Sequence, residues 1–345
     1  MPGSDPIEEI FENGLKYRPG QTGVNRGRNG LAAAFQINDS GWNSGHASYA
    51  TIRQQDGPYR VAIIGDSFVD ALQVDFDKSL AERLEELLGP HSAEVFRFGI
   101  SGAPLSHYLQ ILRKEVRRFK PDMVIFILIH NDFDESYEYR PGHDLSMFLS
   151  LSIDEGHTVR EIEPRPRKKL WIEPLLRTAT YRCLAGRYGV PFFKLKYLFP
   201  WFFGYRQAAP VEPQYQANIE VSNLAAKMAL NEVATRYVLG NIARIAREDR
   251  CDLLLVMDGD RESIYQDIDA AELYRDGALA LNSMVDRVAK QLGIPFIDLH
   301  PVFMGDYRAH GKRFNFDTDG HWNEYGHELV ARTIYNYQGA PWAGN

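Results

Sequence analysis

Ser67 closes an apolar run, Val61-Ala62-Ile63-Ile64-Gly65-Asp66-Ser67-Phe68, and is answered far downstream by Asp319-Gly320-His321-Trp322. A hydroxyl is a weak nucleophile until a neighbouring base takes its proton, and an imidazole is suited to that task near neutral pH. A carboxylate beside the imidazole would fix its tautomer and stabilise the positive charge it acquires. Acyl transfer by such a serine also needs hydrogen-bond donors for a carbonyl oxygen that turns negative in the transition state. Two further segments, Gly99-Ile100-Ser101-Gly102 and His130-Asn131-Asp132, offer them. Gly102 lets a backbone N–H approach a ligand closely, and the Asn131 amide donates in a fixed direction. With the Ser67 N–H they would make a three-donor oxyanion hole.

These residues are useful only if the fold brings them to one place. The apolar, β-branched segments Arg60–Gly65, Glu94–Phe98, Met123–Ile129, Asp252–Met257 and Pro295–Leu299 read as five buried strands. Helical patterns separate them, over about Ser79–Leu88, Leu105–Phe119, Asn218–Glu248 and Ala271–Leu292, and Asn323–Tyr337 closes the chain. Near-continuous apolar strands alternating with helices indicate an α/β fold, a parallel sheet covered on both faces. Ligands of such sheets bind beyond the carboxyl ends of the strands, where a loop would hold Ser67 and where Gly102 and Asn131 also fall.

In the order Gly65-Asp66-Ser67, Gly102, Asn131, His321, the four blocks resemble the SGNH (GDSL) hydrolase superfamily over most of the chain. That resemblance implies a flavodoxin-like three-layer sandwich acting on esters, with Ser67 as nucleophile, Ser67, Gly102 and Asn131 as oxyanion donors, and His321 as general base. Two positions depart from the pattern. His130 replaces the usual glycine before the block asparagine, so the turn or pocket there is expected to differ. The position three before His321, where the aspartate commonly stands, is Thr318. Asp319, two before it, resembles the Asp-x-His-Trp block of the alginate acetyltransferase-like branch, which passes acyl groups to sugar hydroxyls. Asp319 is therefore the favoured partner of His321, with Asp317 the competitor. His300, His310 and His327 read as structural or exposed, although the position of His327 early in the closing helix can bring it near the site.

Composition narrows the alternatives. The chain has 345 residues, 44% of them apolar, enough for one large domain or a core with an insertion, and a formal net charge of -7 argues against a nucleic-acid partner. Only Cys183 and Cys251 occur, which excludes a disulfide framework and zinc-finger spacing. Neither a Walker loop nor a Rossmann glycine fingerprint is present, and no His-Glu-x-x-His pair appears. The stretch from Asp317 to Glu328 superficially matches a calcium loop, but Trp322 sits where the turn needs glycine. No cofactor and no metal are expected. The lipase-type Gly-x-Ser-x-Gly elbow is also missing. No segment reads as a transmembrane span, and as written the chain reads as cytoplasmic, or as periplasmic or secreted if an export signal has been removed.

Three regions follow from these patterns. Residues 1–58 are expected to form a wrapping extension rich in Gly, Asn and Arg, with a strand near Ala34–Ile37. Residues 59–134 and 215–345 form the catalytic core. Residues 135–214 form an inserted lid or substrate-binding subdomain, opening with a hairpin around Leu149–Val159. Within it, residues 160–206 combine many Lys and Arg with aromatics such as Trp171, Phe192, Trp201 and Phe203. That mixture suits an anionic or glycan ester, a helical subdomain with its own core, or weak contact with a membrane surface. The expected activity is a serine esterase removing an acyl group, foremost acetyl, from a carbohydrate or related small ester. Glycan O-acyl transfer through the same residues is the first alternative, and a catalytically silent glycan-binding domain the second.

Overall fold

A computed structural model describes residues 6, 8–11, 14–26, 31–53, 57–89, 91–138, 145–165, 215–217 and 219–342. Five parallel strands form the centre: β1 (Tyr59–Gly65), β2 (Ala93–Gly99), β3 (Met123–Leu128), β4 (Asp252–Met257) and β5 (Phe296–Asp298). They lie in the order β5-β4-β3-β1-β2, so the chain starts near the middle, steps once to one edge and then works outward to the other. That is the flavodoxin-like doubly wound order, with a topological switch point between β1 and β3.

Alternation along the strands divides the core in two. Ala62, Ile64, Phe96, Phe98, Val124, Phe126, Leu128, Leu255 and Met257 face one apolar cluster, whereas Val61, Ile63, Val95, Ile125, Ile127, Leu254 and Val256 face the other. Successive strand side chains point to opposite faces, so strands that are apolar at every position need cover on both sides. On the first face lie α3 (Leu105–Lys114), α4 (Leu224–Asp249) and α7 (Ala280–Leu292). On the second lie α2 (Leu80–Leu88), α8 (Leu299–His310) and α9 (Glu324–Tyr335). Three short helices, α1 (Ser67–Asp70), α5 (Arg261–Tyr265) and α6 (Ala270–Asp276), complete the set that bears on the site.

The expected strands are present within a residue or two, and several helices differ. The segment Leu105–Phe119 is an α-helix only to Lys114, then tightens into a 3₁₀ turn over Val116–Phe119. The buried Glu115 carboxylate at the break pairs with Lys16 at 3.1 Å and Arg118 at 2.9 Å, the first a partner 99 residues away. The helix expected from Asn218 begins at Leu224, because Tyr215–Gln216 pairs with Ile219–Glu220 and a 3₁₀ turn follows. The helix expected over Ala271–Leu292 is two, α6 and α7, parted at Gly277, where a Cβ would strike the backbone of Leu273. Periodicity also missed α8 altogether.

From the N-terminal region, Leu15, Tyr17, Phe35, Ile37, Trp42 and Tyr49 are buried in the first cluster. Trp42 meets Phe98 edge-on at 5.2 Å, and Tyr49 stacks on Phe96 at 4.4 Å. The strand expected near Ala34 runs over Ala32–Gln36, paired with Thr22–Arg26. A hairpin of Ser150–Ile153 with Val159–Ile162 stands where one was expected, and residues 166–214 of the anticipated insertion lie outside the described residues.

Candidate active site

Ser67 is not in a loop as expected but is the first residue of α1, one turn set directly on the end of β1. Asp66 is the N-cap, accepting from the Phe68 N–H at 2.9 Å. The turn is tight because Gly65 and Gly99, paired across β1 and β2, leave it room. A Cβ on Gly99 would overlap the backbone of Val69 and Asp70. The N-terminal region braces the far end of the turn: Tyr17 donates to the Asp70 carboxylate at 2.6 Å, and the Asn43 amide donates to the Asp70 carbonyl at 2.9 Å. Ser101 also donates to that carboxylate, at 2.8 Å, tying the loop of Gly102 to the turn of Ser67.

His321 and Asp319 lie on a short strand, Asp319–Trp322, paired antiparallel with Asn315–Phe316. Residues two apart on a strand share a face, so both polar side chains point one way. The Ser67 hydroxyl and His321 Nε2 are 2.8 Å apart, and His321 Nδ1 lies 2.5 Å from Asp319 Oδ1. Asp319 Oδ1 also accepts the His321 backbone N–H at 2.9 Å. Hydrogen bonding to His321 holds the Asp319 carboxyl below its ordinary pKa, against the opposing effect of partial burial. With a carboxylate accepting at Nδ1, the tautomer has its proton there, and Nε2 is the acceptor facing Ser67. Asp317 is at the hairpin tip, its side chain 89% exposed and 3.8 Å from Arg313, whereas that of Asp319 is 23% exposed.

Asn131 lies in a 3₁₀ turn after β3 that Asp132 pins from within: its Oδ2 accepts from the Tyr108 hydroxyl and the Ile129 N–H, both at 2.8 Å. The Asn131 amide donates to buried Glu135 at 3.1 Å. An amide nitrogen has two hydrogens, so this bond fixes the rotation of the group and keeps a second donor for a ligand. His130 turns into the core, its Nε2 2.9 Å from Asn282 Oδ1. Both Asn282 amide hydrogens are engaged, by the Asp258 carbonyl at 3.0 Å and Asp298 at 2.8 Å, so His130 is the donor. Burial lowers its pKa and keeps it neutral in that role. Gly102 has φ +76 with open space around the position a Cβ would take, a conformation that favours glycine. His327 is buried and accepts the Leu80 N–H at 3.2 Å, a structural bond that leaves it outside the chemistry.

Sequence reasoning overlooked Asp66, Asp258, Arg261 and Glu135. A shared signal was available: Asp66, Asp258 and Arg261 follow closely on the carboxyl ends of β1 and β4, and Glu135 lies in the segment after β3. Burial pushes the Asp66 carboxyl up to about 6, and the Phe68 N–H and His321 pull it the other way. A folded-state pKa above the unfolded value of 3.8 favours folding fully only below that value, and the contribution is lost as pH rises through about 6. Asp66→Asn keeps an acceptor for Phe68 and removes the charge. The variant's Tm relative to wild type is therefore expected to climb between about pH 4 and about pH 7. Thermal scans at both ends check this, and a pH-independent difference would refute it.

Among the described residues no group of three or more His, Cys, Asp or Glu side chains is placed to hold a metal ion, and no helix is long and apolar enough to cross a membrane. A sequence profile of the family described as GDSL-like Lipase/Acylhydrolase matches residues 63–329, a span that includes Ser67, Gly102, Asn131, Asp319 and His321. No curated protein is matched by the sequence. Among solved structures, the chain is similar to LAE5, an alpha/beta hydrolase enzyme from the metagenome of Lake Arreo, Spain. There the identity is 14%, 84% of this chain and 98% of that one are covered, and the TM-score is 0.45. A catalytic mutant of Axe2, an acetylxylan esterase from Geobacillus stearothermophilus, gives 14%, 85%, 100% and 0.44 in the same measures. TesA gives 13%, 81%, 98% and 0.41.

Proposed function

The chain belongs to the GDSL-like Lipase/Acylhydrolase family and is a carboxylic ester hydrolase, and from that premise we propose that Ser67 is its nucleophile. The observation that carries the proposal is the continuous contact from Ser67 through His321 to Asp319, at 2.8 and 2.5 Å. His321 Nε2 takes the hydroxyl proton as Ser67 Oγ attacks the ester carbonyl, and Asp319 stabilises the imidazolium that results. As the carbonyl oxygen turns negative it is met by the N–H groups of Ser67 and Gly102 and by the Asn131 amide. The N–H of Ser67, at the first position of a helical turn, has no acceptor within the helix. Collapse of the tetrahedral species expels the alcohol, protonated by His321, and leaves an acyl-serine that water then hydrolyses with His321 as base again.

We propose as substrate a carbohydrate or related small ester bearing a small acyl group, foremost acetyl, the substrate class that the resemblance implies. Of the lid or substrate-binding subdomain expected at 135–214, residues 166–214 lie outside the described residues. The basic and aromatic stretch 160–206, to which membrane-surface contact was also ascribed, falls almost wholly outside the described residues. Transfer to a sugar hydroxyl is the second reading, supported by the Asp-x-His-Trp spacing. Turnover of p-nitrophenyl acetate with and without sugar acceptors, followed by a panel of acetylated glycans, separates the two. Release of acetate from the glycans without an acceptor is the expected result. Acetylated sugar formed only when acceptor is present would replace hydrolysis by transfer, and no turnover of any ester would reject both.

A further inference from the structure

We propose that Arg261, paired with Asp258, is a positioning residue that holds His321 in register with Ser67. The proposal rests on His321 being the general base. Asp258 follows β4 directly, and its backbone N–H continues the ladder by donating to the Leu128 carbonyl at 3.0 Å. Its carboxylate is buried and divides its two oxygens: Oδ1 accepts from Trp322 Nε1 at 3.1 Å, and Oδ2 is in close contact with Arg261 Nη1. The second arm of the same guanidinium, Nη2, donates to the Gly320 carbonyl at 2.7 Å. Gly320 and Trp322 are the residues on either side of His321. One ion pair rooted in the central sheet thus grips the strand of His321 before and after the base.

The strand needs such an anchor. It belongs to a two-stranded hairpin whose partner, Asn315–Phe316, is two residues long, and isolated hairpins of this kind are marginal in water. The ring of Phe68, the residue next to the nucleophile, fills the space between. It is 4.9 Å from the His321 ring, 5.1 Å from that of Trp322 and 5.4 Å from the Arg261 guanidinium. A buried ion pair is a poor device for stability alone, since apolar side chains of similar volume serve as well or better. What the planar fork provides, and a point charge does not, is direction: two parallel-facing donors that set one backbone carbonyl relative to one carboxylate.

Arg261→Ala in the full-length protein is therefore expected to lower kcat on p-nitrophenyl acetate about a hundredfold, the cost of displacing a base by roughly an ångström, with little change in KM. Added guanidinium should restore part of the loss saturably, and sodium chloride at equal concentration should not. Labelling of Ser67 by a fluorophosphonate should slow in step with kcat while its final extent stays at the wild-type level. A merely structural role would do the reverse, lowering the labelled fraction and leaving the rate of the folded fraction unchanged. Because Arg261→Ala leaves the Asp258 charge buried without its guanidinium, the double variant Asp258→Asn with Arg261→Met is measured beside it. Wild-type kcat in either folded variant overturns the proposal, as does a labelled fraction that falls at constant rate. Ser67→Ala keeps the two readings apart: if it retains turnover the assignment of the nucleophile fails, and if it is dead while the Arg261 variants are fully active only the anchor fails.

Discussion

Ser67→Ala is expected to reduce kcat on simple esters on the order of a millionfold, the loss seen when a hydroxyl nucleophile is removed from an assembled relay. The His321 ring faces Ser67 with Nε2 and is committed to Asp319 through Nδ1, so it is not free to take over the attack. The variant should remain folded. Ser67 begins a helical turn whose cap is the Asp66 side chain bonded to Phe68, so the hydroxyl is not part of the capping interaction, and alanine is well tolerated in a helix. Intact mass spectrometry after fluorophosphonate treatment reads the result directly. One adduct is expected on the wild type and none on Ser67→Ala, and an adduct that persists would remove Ser67 from the mechanism. His321→Ala should cost a comparable factor, and the double variant little more than either single one, since the two groups act as a unit.

Asp319→Asn should lower kcat about ten-thousandfold, and Asp317→Asn should leave it within about twofold of wild type. An asparagine at 319 can offer its amide N–H to His321 Nδ1, which favours the tautomer with the proton on Nε2 and turns the base away from its task. It also cannot match a carboxylate in stabilising the imidazolium. Hydrogen bonding to His321 keeps the Asp319 carboxyl below its ordinary pKa, so it is charged throughout the neutral range where the wild type would be assayed. Asp317 is 3.8 Å from Arg313 and largely in solvent, an exposed pair of small energetic weight. Steady-state rates of the two variants decide between the carboxylates. A large loss in Asp317→Asn with Asp319→Asn unaffected would reverse the assignment.

Part of this architecture was legible in the chain because it depends on local pattern. Apolar runs such as Met123–Leu128, buried along their whole length, can only be strands covered on both faces, and alternation with helices then dictates a parallel sheet. The carboxyl ends of such strands gather at one edge, which predicts Ser67, Gly102 and Asn131 together from the sequence alone. Helix ends were less legible. The buried Glu115 at the break is paired with Lys16, and a window of neighbouring residues holds no information about a partner 99 positions away.

By itself the sequence determined the sheet and its cover of helices on both faces, and it singled out the serine and the histidine that we propose as nucleophile and base, since each follows from residue type, spacing and order along the chain. It left two carboxylates competing for His321, and only tertiary structure separated them. The reason is strand geometry: with Asp317 and Thr318 at the hairpin tip, Asp319 enters the strand two residues before His321 and shares its face, and a residue at an odd separation along that strand would point the other way. Tertiary structure also brought Asp258 and Arg261 to Gly320 and Trp322 across about sixty positions of sequence, through contacts that exist only once β4 and the hairpin have packed together.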